Sequence, residues 1–95
     1  MRIIGGKFRS RVLAEFPGED VRPTSDRVKE SLFNILSLKL YGARVLDLFA
    51  GSGQLGIEAL SRGAASCVFI EKDRVAFECV QKNLAATGLK PKARA

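Results

Sequence analysis

The stretch DLFAGSGQLG, residues 47–56, sets Gly51, Gly53 and Gly56 in a G-x-G-x-x-G pattern directly behind an acid, Asp47. Glycines at that spacing permit a tight strand-to-helix turn whose backbone approaches a ligand closely. A second acid, Glu71, follows Gly51 by twenty residues. That interval suits a carboxylate at the tip of the neighbouring strand, accepting hydrogen bonds from both hydroxyls of a ribose. NAD and S-adenosylmethionine both carry such a ribose, and Asp47 distinguishes them. NAD brings a doubly negative pyrophosphate to the turn. Two like unit charges roughly 4 Å apart repel by about 4 kcal/mol at an effective dielectric near 20. S-adenosylmethionine instead presents a sulfonium and an ammonium, so the sign reverses and the acid favours it. Asp47 has a second reading as a structural acid capping the nearby helix, and the two roles are compatible. A P-loop is excluded, because no G-K-[ST] follows the glycines.

The flanking segments give this turn its frame. RVLDLF, 44–49, is a short β-prone run leading into the glycines, and SCVFIE, 66–71, is a second strand ending in the second acid. Between them, Leu55, Ala59 and Leu60 support a helix over 54–62, with Gly63 suited to the position after its end. Ala76, Val80 and Leu84 share one face of a helix over 73–87, with Gly88 as terminator. KPKARA then reads as the approach to a further strand. Strand, helix, strand, helix is a right-handed parallel βαβ pattern. The fold class is therefore α/β, a partial doubly wound Rossmann-like sheet. Upstream, Val28, Leu32, Ile35 and Leu36 predict a helix over 25–38 with that face inward. Thr24 or Ser25 serves as its N-cap and Asp26 suits its first turn. Residues 17–23 read as a loop, and 1–16 as a small basic β-hairpin.

Composition bounds the rest. The chain has 95 residues, 46% hydrophobic and 27% charged, which fits one ordered domain. Cys67 and Cys79 match no metal or redox spacing and read as reduced core thiols. The absence of histidine is read as excluding a zinc site and a Ser-His-Asp triad. No apolar run is long enough to span a bilayer and no signal-peptide core is present, so a cytoplasmic protein without a membrane partner is expected. The net charge of +6 is uneven: Arg2, Lys7, Arg9 and Arg11 crowd the first eleven residues, and Lys90, Lys92 and Arg94 the other end. Clusters of this kind attract polyanions.

VLDLFAGSGQLGIEALSRGA together with VFIEKD resembles the nucleotide-binding half of class I S-adenosylmethionine-dependent methyltransferases. More narrowly, MRIIGGKFRSR, VRPTSDRVKESLFNIL and DLFAGSG, in that order, resemble the bacterial family that methylates the exocyclic N2 of a guanine in small-subunit ribosomal RNA. The resemblance implies S-adenosylmethionine as cofactor, and ribosomal RNA or a pre-assembled small ribosomal subunit as partner. Asp47, Phe49, Ala50, Gly51, Ser52 and Gly53 would form the methionine-side turn, Glu71 would hold the ribose, and Lys72 would lie beside the adenine. Arg22, Pro23 and Thr24 match the segment that packs over the cofactor in this family. Arg2, Lys7, Arg9 and Arg11 would belong to the RNA-binding surface.

One departure is large. The family carries an Asn/Asp-Pro-Pro-Tyr/Phe segment that orients the guanine amine and stacks on a flipped base. Here Pro17, Pro23 and Pro91 are isolated, so no catalytic or metal-binding residue is assigned. The chain reads as a single truncated domain, the N-terminal half of such an enzyme and inactive by itself. A half sheet leaves a strand edge and apolar helix faces uncovered, which predicts self-association. A non-enzymatic basic RNA-binding module is the alternative function, and an NAD-dependent oxidoreductase a distant third.

Overall fold

The computed structural model describes residues 2–16, 18, 23–48 and 50–95, with residues 23–26 described by their backbone only. Among the described residues, three helices and three strands follow one another as α1 (Pro23–Leu40), β1 (Arg44–Asp47), α2 (Gln54–Ser61), β2 (Ser66–Phe69), α3 (Arg74–Thr87) and β3 (Ala93–Arg94). A single 3-10 turn, Lys90–Lys92, links α3 to β3. The terminal KPKARA segment thus does enter a strand. The sheet is parallel in the order β1-β2-β3, with Val45 opposite Cys67 and Asp47 opposite Phe69.

Two successive right-handed crossovers in the same direction set both crossover helices on one face of a sheet. The strands alternate accordingly. Cys67 and Phe69 are buried, whereas Arg44 and Leu46, on the opposite face of β1, are exposed. A parallel sheet covered on both faces reads as a continuous apolar run, so this alternation marks a sheet covered on one side. Ile57 and Leu60 from α2 and Val80 and Leu84 from α3 fill that side together with Phe69. Burying a side chain of this size contributes about 1.5–3 kcal/mol.

Helix α3 buries the face its spacing predicts: Ala76, Val80 and Leu84 are all inside. It ends at Gly88, which is left-handed at φ 72°. Helix α2 likewise stops ahead of Gly63 at φ 106°. Helix α1 covers the expected segment but turns a different stripe inward. Its inward residues are Lys29, Phe33 and Leu40, with Leu36 partly buried, while Val28 is 64% and Ile35 81% exposed. The helix carries two apolar stripes about 100° apart, and the one that turns inward contains Lys29 because a buried acid, Glu58, awaits its amine. The N-cap expected of Thr24 or Ser25 lies outside the described side chains. Pro23 does open the helix, at a position where its missing N–H costs nothing.

The expected N-terminal hairpin is present in minimal form among the described residues. Its pairing is one antiparallel bridge, Arg2 with Val12, closed by Ile3 N–H to Arg11 O at 2.9 Å and Ser10 N–H to Ile3 O at 2.8 Å. The intervening residues form a loop that leans on α2 instead of extending a ladder. Gly6, at φ 80°, sits so close that a Cβ would meet the Ser61 carbonyl oxygen at 2.0 Å. No described helix is long and apolar enough to cross a membrane.

Candidate cofactor site and nucleic-acid interface

The glycine turn lies where β1 hands over to α2, at the carboxyl rim of the sheet. Gly51 (φ 58°) and Gly53 (φ 88°) are both left-handed, conformations that side-chain-bearing residues rarely adopt. Gly53 N–H donates to Ala50 O at 2.7 Å, which tightens the turn. Gly56 has a different reason to be glycine. A Cβ there would meet Phe69 Cε1 at 2.2 Å and Cys67 Sγ at 2.7 Å, so its absence lets α2 lie against β2.

Both acids face this turn, each through backbone amides. Asp47, half-buried at the end of β1, accepts a hydrogen bond from Gly56 N–H at 3.3 Å. That amide belongs to the first turn of α2, whose N-cap is a glycine with no side-chain bond of its own. Asp47 thus takes the helix-capping role and complements the positive end of α2. Its charge, added to burial, raises the Cys67 thiol pKa to about 12. Glu71 lies two residues beyond β2. Its Oε2 accepts from Asp73 N–H at 3.0 Å and its Oε1 from Gly51 N–H at 2.7 Å. Those amides, Asp73 first and Gly51 second, hold its pKa below the ordinary carboxylate value against a small opposing cost of burial. An ionised carboxylate has about four acceptor positions, so two amide bonds leave room for hydroxyl donors on the outer side.

Ala50 and Ser52 are buried behind the turn, whereas Lys72 is exposed on the same rim as Glu71. Arg22 and Phe49, and the side chain of Thr24, lie outside the described residues. The residue that locks the turn was not legible from spacing. Asn83 of α3 is 1% exposed and donates through Nδ2 to Ser52 O at 2.9 Å and to Ala14 O at 3.0 Å. Its Oδ1 accepts from Ala14 N–H at 2.6 Å. One side chain therefore ties the glycine turn to the segment leaving the N-terminal loop.

That loop has a second anchor. Glu58 of α2 is fully buried, and its two oxygens accept from Ile4 N–H and Gly5 N–H, each at 2.9 Å. Arg62 Nε at 2.8 Å and Lys29 Nζ at 3.4 Å balance its charge. Ser61 donates to Gly5 O at 2.7 Å and accepts from Phe8 N–H at 3.0 Å. The cations are displayed on the outside of this frame. Arg2, Lys7, Arg9 and Arg11 are exposed, with Lys7 and Arg11 within 5.8 and 5.4 Å of the Phe8 ring centroid. Arg11 Nη1 also donates to Ala86 O in the last turn of α3 at 2.9 Å. Such cations on a fixed loop meet phosphates with little ordering cost.

Comparison with known proteins places this geometry in a lineage. The family model for conserved hypothetical protein 95 matches residues 1–95. Ribosomal RNA small subunit methyltransferase D of Escherichia coli K12 is 52% identical over 85 residues, covering 90% of this chain and 43% of that protein. Among solved structures, the Escherichia coli protein yhhF superposes with a TM-score of 0.88 at 50% identity, over 99% of this chain and 50% of that one. The Thermus thermophilus 16S rRNA N2 G1207 methyltransferase (RsmC), solved with AdoMet and guanosine, matches with a TM-score of 0.71 at 32% identity. It covers 100% of this chain and 25% of that one. The chain spans less than half the length of curated relatives it matches, at 46% and 43%. The fold is that of Rossmann-like methyltransferases.

Proposed function

The chain belongs to the conserved hypothetical protein 95 family, and on that premise we propose that it is the S-adenosylmethionine-binding part of an enzyme that methylates the exocyclic N2 of a guanine in small-subunit ribosomal RNA. The observation that carries the reading is the pair of carboxylates on the glycine turn, Glu71 bonded to Gly51 N–H and Asp47 to Gly56 N–H. This rim is negative. It suits a sulfonium, an ammonium and ribose hydroxyls, and it is mismatched to a pyrophosphate. The relatives' printed functions on ribosomal RNA support the same reading.

In this proposal Gly51 and Gly53 let the backbone approach the methionine end, Glu71 accepts the ribose hydroxyls, and Lys72 borders the adenine. Arg22, Phe49 and Thr24 are assigned there on the family resemblance alone. The cofactor supplies an electrophilic methyl on sulfur. The amine nitrogen forms a bond to that methyl as the carbon–sulfur bond breaks, S-adenosylhomocysteine departs and the amine sheds a proton. No residue of this chain is assigned to orient the amine, since the Asn/Asp-Pro-Pro-Tyr/Phe segment is absent from it, so this chain by itself is expected to be inactive. We also assign residues 1–95 to a single domain unit. The uncovered β1 edge and the exposed Leu46 and Leu48 are expected to drive self-association.

Isothermal titration calorimetry tests the cofactor reading. S-adenosylmethionine is expected to bind with affinity weaker than micromolar, and Glu71→Ala to abolish it. Binding of NADH that Asp47→Ala leaves unchanged would overturn the assignment, and submicromolar S-adenosylmethionine affinity would overturn the idea of an incomplete site. The pinned basic loop favours one second reading, a non-enzymatic RNA-binding module. RNA binding without any cofactor binding would select it. A monodisperse monomer in light scattering would reject self-association.

A further inference from the structure

Between the N-terminal loop and α1 lies a cleft of about 320 Å3, lined among the described residues by Arg2, Ile3, Ile4, Arg9, Ser10, Arg27 and Glu30. It is separate from the glycine turn. We propose that this cleft seats one nucleotide of the RNA strand, its phosphodiester on Arg2, Arg9 and Arg27 and its ribose 2′-hydroxyl on the Glu30 carboxylate. This rests on the ribosomal RNA reading above.

Three observations carry it. The first is charge: three arginines line one cavity, and no described acid forms an ion pair with any of them, Glu30 included. Guanidinium presents a planar fork of donors that matches phosphate oxygens. The second is rigidity. The Arg2 carbonyl accepts from the buried Lys29 amine at 2.9 Å, and Ser10 N–H is held to Ile3 O at 2.8 Å. Ser10 carries φ 70°, a left-handed value in a residue with a side chain, in the wall of the same cleft. Conformations of that kind cost on the order of 1–3 kcal/mol and persist where the surroundings impose them. The third is the single acid. A carboxylate in a phosphate seat is repulsive unless a donor reaches it, and the ribose 2′-hydroxyl is the donor that RNA has and DNA lacks. Glu30 therefore reads as the element that selects RNA. The cavity is of the order of a small ligand pocket, about 300 Å3 at the lower end, which accommodates one nucleotide and not a stacked run.

The test uses the whole chain, a fluorescein-labelled single-stranded RNA, the DNA of the same sequence, and anisotropy across a salt series. Arg9→Gln and Arg27→Gln are each expected to weaken RNA binding about tenfold and to lower the salt slope by about one counterion. Glu30→Gln is expected to narrow the RNA-over-DNA ratio while leaving the salt slope in place. Arg74→Gln, at an exposed ion pair on α3, should leave all of these unchanged. Arg9, Arg27 and Glu30 are exposed, so melting temperatures close to wild type are expected and serve as the folding control. RNA affinity unmoved in both arginine variants would overturn the cleft while leaving the RNA reading standing. No RNA binding by the wild-type chain would overturn both. Free guanosine monophosphate displacing RNA at micromolar concentration would reassign the cleft to a free nucleotide and reject the strand.

Discussion

Glu58 and Glu71 do the same thing in two places and to opposite ends. Each carboxylate spans two backbone amides, Ile4 and Gly5 for Glu58, Asp73 and Gly51 for Glu71. Glu58 is fully buried and saturated by two further cations, Lys29 and Arg62. Glu71 sits at the rim with backbone amides as its principal partners and acceptor capacity left over. The first has nothing left to offer a ligand and serves only to fix the loop. The second positions the turn and can still bind. The same residue type in the same bonding pattern is thus saturated in one place and keeps open acceptor positions in the other.

The largest expected effect separates the two. Glu58→Ala removes the acid that balances the buried Lys29 amine and leaves the Ile4 and Gly5 amides without their acceptor, a loss of about 3–5 kcal/mol. Total stability for a domain is about 5–15 kcal/mol, so the thermal midpoint should fall by more than 10 °C or the transition should lose cooperativity. Glu71→Ala should shift that midpoint far less in the same melts. Equal losses in the two variants would erase the distinction.

Asn83→Leu comes next. It removes the acceptor of the Ala14 amide and the Asn83 bond to the Ser52 carbonyl, at about 1–3 kcal/mol for each group left unsatisfied. Urea unfolding should show a lower midpoint at an unchanged slope. A changed slope would mean that the N-terminal segment had already detached in the folded state.

The pH dependence of Glu71→Gln is smaller and has a defined sign. The folded-state pKa of Glu71 lies below its unfolded value, so its contribution is complete above the ordinary carboxylate range. It disappears as pH falls through the lowered folded value. Wild type and Glu71→Gln should therefore differ in stability at neutral pH and converge in acid, measured by parallel denaturation curves. Convergence on raising the pH instead would contradict the amide clamp.

The smallest effect concerns Asp47 and its neighbour. With its pKa near 12, the Cys67 thiol should be inert to a thiol reagent at pH 8 and react only on unfolding. Asp47→Asn removes one of the two causes and should leave it nearly as slow, because burial is the larger.

The parts of this architecture that sequence made legible are those with a period or a forced conformation. Ala76, Val80 and Leu84 repeat at helical spacing, and the glycines of the turn sit where positive φ or close approach demands them. Helix α1 misled because two apolar stripes compete on it, and local periodicity cannot say which will meet the sheet. Its inward stripe runs through Lys29, a charge that pairs with a residue 29 positions later in the chain. Glu58 and Asn83 were invisible for the same reason: a buried polar residue repeats nothing. The available signal was Glu58 in QLGIEALS, a helix of eight residues with small or apolar neighbours and almost no polar face to put a charge on.

The anchors of the N-terminal loop also impose an order on assembly. Gly5 waits for Glu58, 53 residues away, Ala14 for Asn83 at 69, and Arg11 for Ala86 at 75. Contacts at such separation form after local helices, because the loop they close must first be made. The loop residues thus stand far ahead of their anchors in the chain and are expected to acquire their shape after α2 and α3 have formed. A chain lacking Asn83 and Ala86 would keep the basic loop's charges but lose two of its anchors, and in the proposed reading it would attract polyanions with less of the selectivity assigned to Glu30.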